Sequence, residues 1–370
     1  MSQLQTFLPK IKALLGMDRR QGFPRTSGAA LDADSSKSMH GYNDDAYAKK
    51  IEAEKDIYKN VENINNLPEI FHYWSHNYLR PMFEEFELSS SDQFFAKYFV
   101  KSAMRCADES PVFLSVGVGN CDAEVRIAKI MREMGLSRFV IRCLDINPHM
   151  LKRGQEMAER EGVLEHLEFV EGDFNRWMAD RQYTGIMANQ SLHHVLNLEG
   201  LFDQVKLALK SKGYFAVHDI IGRNGHQRWP EALDAVQKFW KELPPSYRYN
   251  QLLRRHEEEY ENWDCSDEGF EGIRAQDVLP LLLERFDFEL FIGFANVVDV
   301  FIDRAFGHNF DATKEWDKAF VDRLHLFDED AFQSGKLKPT HMVAAMSIEP
   351  CGERHYSRGV SPQQSVRLPD

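Results

Sequence analysis

From about residue 111 onward, the apolar positions of this 370-residue chain alternate between two periods. The β-branched and aromatic run Pro111 to Val116 breaks into Gly117-Val118-Gly119. It resumes as Ala123 to Met131 with apolar residues three and four apart. That pattern predicts a strand, a tight glycine turn and a helix. Glycine suits such a turn because the backbone must bend sharply and lie close to a ligand, where a Cβ would collide. The following helix would point unpaired N–H groups and a partial positive charge at whatever sits in the turn. Further strands are predicted at 139–144, 167–170, 185–188, 214–221, 286–292 and 340–348. Helices are predicted from about 148, over 198–210 and over 275–283. Strands alternating with helices imply a parallel sheet covered on both faces.

Flanking this core, Leu4, Phe7, Leu8, Ile11, Leu14 and Leu15 fall on one helical face. A stripe of that kind docks on its own domain or on a partner, including a second copy of the chain; the other reading is a helix lying on a membrane surface. The chain then divides into six segments. Residues 1–45 read as this amphipathic helix and a polar linker. Residues 46–110 read as an N-terminal helical cap, and 111–222 as the first part of the core. Residues 223–272 read as a helical lid rich in Trp and Tyr, 273–348 as the last core strands, and 349–370 as a disordered tail without apolar periodicity. The aromatic stretch 67–81 is expected to pack the cap against the core, a flap over the glycine turn being the other reading. The charged run Arg254 to Glu259 reads as a solvated helix face.

Composition narrows the class. Hydrophobic residues make up 43% of the chain, which places it among globular proteins, and the net charge of -13 argues against a general nucleic-acid binder. Five scattered cysteines without C-x-x-C spacing read as thiols in a reducing compartment. With no membrane-length apolar run and no secretory cleavage site, a cytoplasmic protein without a transmembrane segment is the expectation.

The candidate chemistry lies at the ends of the predicted strands. Asp145 ends the second strand, where a carboxylate accepts hydrogen bonds from a ribose diol. Asp173 ends the third, within reach of an adenine amino group. For both, capping of the following segment is the competing role. A dinucleotide turn would carry a third glycine where this chain has Asp122, whose charge would repel a pyrophosphate.

These segments together resemble the class I S-adenosylmethionine-dependent methyltransferases, over about residues 111–222 and 273–348. The resemblance implies a Rossmann-like α/β fold: a seven-stranded, mostly parallel sheet with an antiparallel last strand at 340–348. It also implies S-adenosyl-L-methionine as cofactor. The family's glycine loop falls on Ser115, Gly117 and Gly119, its ribose acid on Asp145 with Ile146 beside the adenine, its next acid on Asp173 with Phe174, and its fourth-strand segment on Asn189. Ser115 stands where the family has an acid, and Cys121 where it has a last glycine. Methyl transfer to oxygen or nitrogen benefits from a base. The candidates are His193, His194, His218 and Asp219, with His194 and Asp219 first. His193, His194, His218 and Asp219 show no recognised metal-ligand spacing, so no metal is expected. Aromatic caps suit a small or medium acceptor. The reading is therefore an O- or N-methyltransferase acting on a small molecule. A catalytically inactive scaffold binding a partner and an NAD(P)-dependent oxidoreductase remain as alternatives.

Overall fold

The computed structural model describes residues 44–58, 67–266, 269–350 and 352–369. The amphipathic stripe at 1–16 and most of the expected linker lie outside them. Helix α1 spans Asp44–Tyr58. Next, α2 (Glu69–Trp74) runs through a π turn at Ser75–Leu79 into α3 (Arg80–Glu84), and α4 covers Ser91–Cys106. The core then alternates: β1 (Val112–Val116), α5 (Asp122–Glu133), β2 (Val140–Asp145), α6 (Pro148–Arg160), β3 (Leu167–Glu171), β4 (Gly185–Asn189), α7 (Leu198–Ala208) and β5 (Phe215–Ile220). The lid holds α8 (Pro230–Glu242) and a ribbon of β6 (Tyr249–Asn250) and β7 (Arg255–His256). The chain ends with α9 (Ala275–Leu283), β8 (Asp287–Phe294), α10 (Val297–Ile302), α11 (Glu315–Gln333), β9 (His341–Ser347) and β10 (His355–Tyr356).

The main sheet runs in the order β10-β8-β9-β5-β4-β1-β2-β3. β1 pairs in parallel with β2 and β4, and β4 in parallel with β5. β9 runs antiparallel between β5 and β8. Helices cover both faces, so the central strands are apolar on both sides rather than alternating. Phe113 packs into one layer with Phe94, Phe99 and Ile127. Its neighbour Leu114 faces the other layer, with Phe202, Val205 and Phe215.

Four expectations need correction. The sheet has eight strands rather than seven, because the tail expected to be disordered adds β10. His355 and Tyr356 pair in parallel with Leu290 and Phe291. Arg358 then binds Glu329 with both Oε atoms at 2.6 and 2.7 Å, and Arg367 binds Glu231 at 2.9 Å. A two-residue strand and ion pairs leave no apolar periodicity to read. Among its described residues the lid is α-helical over α8, with short 3-10 turns at Asn224–His226 and Pro245–Arg248. The charged run lies in β7 and the turns around it, and Glu257 is buried there as acceptor for Asn250 Nδ2 at 2.9 Å. Helices α10 and α11 escaped the reading.

The aromatic stretch 67–81 packs the cap rather than forming a flap. Trp74 is buried, Tyr73 donates to Asp322 on α11 at 2.9 Å, and the Tyr78 and His325 rings lie 3.9 Å apart. Among the described residues no helix is long and apolar enough to cross a membrane.

Candidate functional site

The carboxyl ends of β1, β2 and β4 meet around the glycine turn. Gly117 has φ +71°, and a Cβ there would lie 2.6 Å from Ser191 Cβ and 3.7 Å from the Phe174 ring. Ser191 is fixed against the turn, since its Oγ donates to Val116 O at 2.7 Å. Gly119, with φ +54°, donates its N–H to Asp145 Oδ2 at 2.8 Å, and Asn147 N–H donates to Asp145 Oδ1 at 2.8 Å. Burial lifts the Asp145 carboxyl to about 6 against the pull of these donors. Asp145 thus braces the turn while standing at its edge, with half-buried Ile146 beside it.

The two departures from the family pattern have structural answers. Cys121 keeps the left-handed backbone that a glycine would adopt there, at φ +59°. The room it needs comes from α6, where a Cβ on Gly154 would lie 2.8 Å from Cys121 Sγ and 3.0 Å from Asn120 O. The small residue has moved to the facing helix. Ser115 Oγ donates to Glu124 Oε1 at 2.7 Å, so an acid does stand behind the strand end, supplied by the first turn of α5. Glu124 is buried, and its Oε2 has no hydrogen-bond partner among the described residues. Burial raises its carboxyl to about 7. The sequence signal was only an acid in the first helical turn, which ordinarily reads as a favourable dipole contact.

At the end of β3, Asp173 is held from outside the core. Tyr47 Oη, on α1, lies 3.0 and 2.9 Å from its two carboxylate oxygens, and Asn175 N–H donates to Oδ1 at 2.9 Å. Tyr47 is buried, and the Arg176 guanidinium sits 4.9 Å over its ring. Asn147 Nδ2 donates to Lys55 O, so α1 lies across the carboxyl ends of β2 and β3. Tyr47 carried no motif. Its partner is 126 residues away.

A second cluster follows β4. Half-buried Asn189 ends that strand in register with His218 of β5. Gln190 takes a positive φ, and a short 3-10 turn carries His193 and His194. Asp219 is fully buried. It accepts from the N–H groups of Ser191, Leu192 and His193 and lies 2.7 Å from His193 Nδ1. Burial opposes its charge, but the His193 ring and these N–H groups hold its carboxyl below the usual range. The other ring nitrogen, His193 Nε2, lies 3.4 Å from Glu271 Oε1, and His226 Nε2 lies 2.7 Å from the same oxygen. His194 Nε2 lies 3.6 Å from Glu271 Oε2, while its buried Nδ1 has no partner among the described residues.

Burial works against the charge on His193, but Asp219 and Glu271 overcome it and raise the ring's proton affinity. Burial and the adjacent His193 lower His194 to about 4, so that ring is neutral. His218 is separate from the cluster: its Nδ1 meets Ser91 Oγ at 2.9 Å, and burial lowers it to about 4.

His226 and Glu271 were missed because both lie in the lid, 45 residues apart. Two backbone bonds clasp the loops that carry them, Gly225 N–H to Gly272 O at 2.9 Å and Cys265 N–H to Gly225 O at 3.2 Å. The clasp leaves His226 itself at φ +55°.

Residues 108–265 match the family model of a methyltransferase domain. A 77-residue stretch is 32% identical to a sterol 24-C-methyltransferase of Gibberella zeae and to one of Aspergillus fumigatus, covering 20% of this chain and 20% of each relative. The chain thus matches about a fifth of the length of these curated relatives. A geranyl diphosphate C-methyltransferase from Streptomyces coelicolor is 10% identical. Its similarity covers 81% of this chain and 98% of that one, with a TM-score of 0.42.

Proposed function

We propose that this chain, which belongs to the class I S-adenosylmethionine-dependent methyltransferases, methylates a hydroxyl or amine of a small or medium-sized molecule. The observation that carries the cofactor half of this reading is the turn at Gly117 and Gly119. Both glycines are left-handed, a Cβ at the first would strike Ser191, and Asp145 is tied to the second. A turn without side chains lets a ligand approach the backbone closely, with a carboxylate beside it for a ribose diol.

The residues present fit S-adenosylmethionine. Ser115, Gly117 and Gly119 would hold its amino-acid end, Asp145 and Ile146 its ribose and adenine, and Asp173, Phe174 and Asn189 the remaining edge. The cofactor supplies a methyl group on a positively charged sulfur, open to in-line displacement. The protein's task is then to hold the acceptor at attack distance and take its proton. In this reading neutral His194 takes the proton, and Asp219 acts behind it by fixing the His193 ring. The net charge of -13 and the aromatic lid favour a small acceptor over a nucleic acid.

The test is calorimetric titration of the full chain with S-adenosylhomocysteine, with NAD and NADP alongside. The expected result is binding of the first alone, weakened by about 10- to 100-fold in Asp145→Ala, as fits loss of charged hydrogen bonds. Binding of NAD or NADP alone would move the protein to the oxidoreductases, and no binding at all would leave the turn as scaffold. A screen of hydroxyl and amine acceptors follows. It includes carbon acceptors, since the relatives in Gibberella and Aspergillus are named for one. Transfer to RNA or protein with none to small molecules would refute the acceptor class.

A further inference from the structure

We infer that His193, His226 and Glu271 form a binding site for one divalent transition-metal ion of the Zn2+ class, beside the glycine turn. Each offers one ligand atom, and the three atoms lie within 4.8 Å of one another. Bonds of about 2.0–2.2 Å to nitrogen and oxygen place neighbouring ligand atoms roughly 3–3.5 Å apart, so small side-chain shifts suffice. Those shifts are available. The His226 and Glu271 side chains are about a quarter and a third exposed, whereas the His193 side chain is only 4% exposed.

The arrangement has the layered build of a metal centre. His193 Nδ1 is committed to Asp219 at 2.7 Å, which leaves Nε2 as that ring's open nitrogen and turns it toward Glu271. A carboxylate behind a ligating imidazole fixes its orientation and strengthens it as a donor. His226 is delivered by a clasped turn, with Gly225 N–H bonded to Gly272 O, next to Glu271 in the chain. The three donors come from the end of β4 and from two lid loops, so an ion would join lid to core.

Two imidazoles and one carboxylate are borderline donors that suit Zn2+ and its neighbours and disfavour Mg2+, which prefers an all-oxygen shell. Three protein ligands also leave a position open, as in sites that act on a ligand rather than only brace a fold. His193 stands two residues after Ser191, whose side chain abuts Gly117. The cluster thus follows the turn's neighbour Ser191 along the chain, and an ion there would have a position for an oxygen donor of the acceptor. That use of the ion rests on the methyl-transfer reading above, whereas the binding of the ion does not.

The experiment uses the full chain, stripped with a chelator and titrated with ZnCl2 by calorimetry, with MnCl2 and MgCl2 in parallel. Bound metal is counted by mass spectrometry. One Zn2+ per chain is expected, with Mg2+ far weaker. His226→Ala and Glu271→Gln should each weaken Zn2+ by more than the ~10–100-fold that loss of an outer-shell partner costs. Cys106→Ser, at the end of α4 and outside the cluster, should bind as the parent does. Circular dichroism and S-adenosylhomocysteine titration show whether each variant is folded. No stoichiometric Zn2+, or undiminished Zn2+ in both folded ligand variants, overturns the site and leaves the cluster a hydrogen-bonded network. Zn2+ binding without S-adenosylhomocysteine binding would keep the site and sink the methyl-transfer reading, and the reverse result would do the opposite.

Discussion

Replacing Glu124 by Gln tests the electrostatics under the glycine turn. Glu124 is 2% exposed, its Oε1 accepts from Ser115 Oγ, and burial raises its carboxyl from 4.5 to about 7. Gln keeps the shape and the Oε1 acceptor, and it places an amide where Oε2 has no partner among the described residues. An unfolded Glu releases its proton near 4.5, while the folded one keeps it to about 7. Between those values the unfolded chain binds fewer protons, so this group's contribution to stability is greatest at low pH and falls as pH rises. At ~1.4 kcal/mol per tenfold change in proton affinity, the total fall is roughly 3 kcal/mol, largely complete by about pH 8. Asp145 and Asp328, also raised by burial to about 6 and about 7, slope the same way. The difference between variant and parent is therefore the quantity to measure. Urea unfolding at about pH 5 should find the two nearly equal. At about pH 8 Glu124→Gln should be more stable by roughly 2–3 kcal/mol. Parallel stability curves across that range would refute a protonated Glu124 behind Ser115.

Two further outcomes follow from single contacts. Gly117→Ala puts a Cβ 2.6 Å from Ser191 Cβ at a left-handed position. It should cost about 1–3 kcal/mol in urea unfolding and abolish S-adenosylhomocysteine binding by calorimetry; parental values for both would remove the turn from the site. Arg358→Ala unpairs Glu329 and loses the bond to Gly293 O, so limited proteolysis should cut the tail several-fold faster, for a loss of about 1–3 kcal/mol. An unchanged cleavage rate would mean that β10 alone holds the tail.

Much of the core was legible because its signals are local. A strand's apolar run, the glycines that end it and the acid at the next strand end all fall within a few residues of one another. They predicted the order β1, α5, β2 and an acid, Asp145, at the strand end beside the turn; its bond to Gly119 came only with the structure. Asp145 braces the turn because parallel strands bring their carboxyl ends to one edge. What the sequence hid depends on approach between distant segments. Nothing near Cys121 announces that Gly154 makes room for it, and nothing near Asp173 announces Tyr47. The lid read as helix because its aromatics and charges are dense. Backbone bonds between its loops decided its shape instead, and those bonds carry no side-chain pattern. The tail shows the same limit, since two paired residues and ion pairs from Arg354, Arg358 and Arg367 order it without any periodicity.

Local chemistry along the chain determined the central strands, the glycine turn and the acids at the strand ends of this protein. Tertiary structure alone decided which acid stands behind Ser115, how α1 reaches the end of β3, and that His193, His226 and Glu271 share one corner. Periodicity records which face of an element is buried. It holds no record of which distant side chain will be met there.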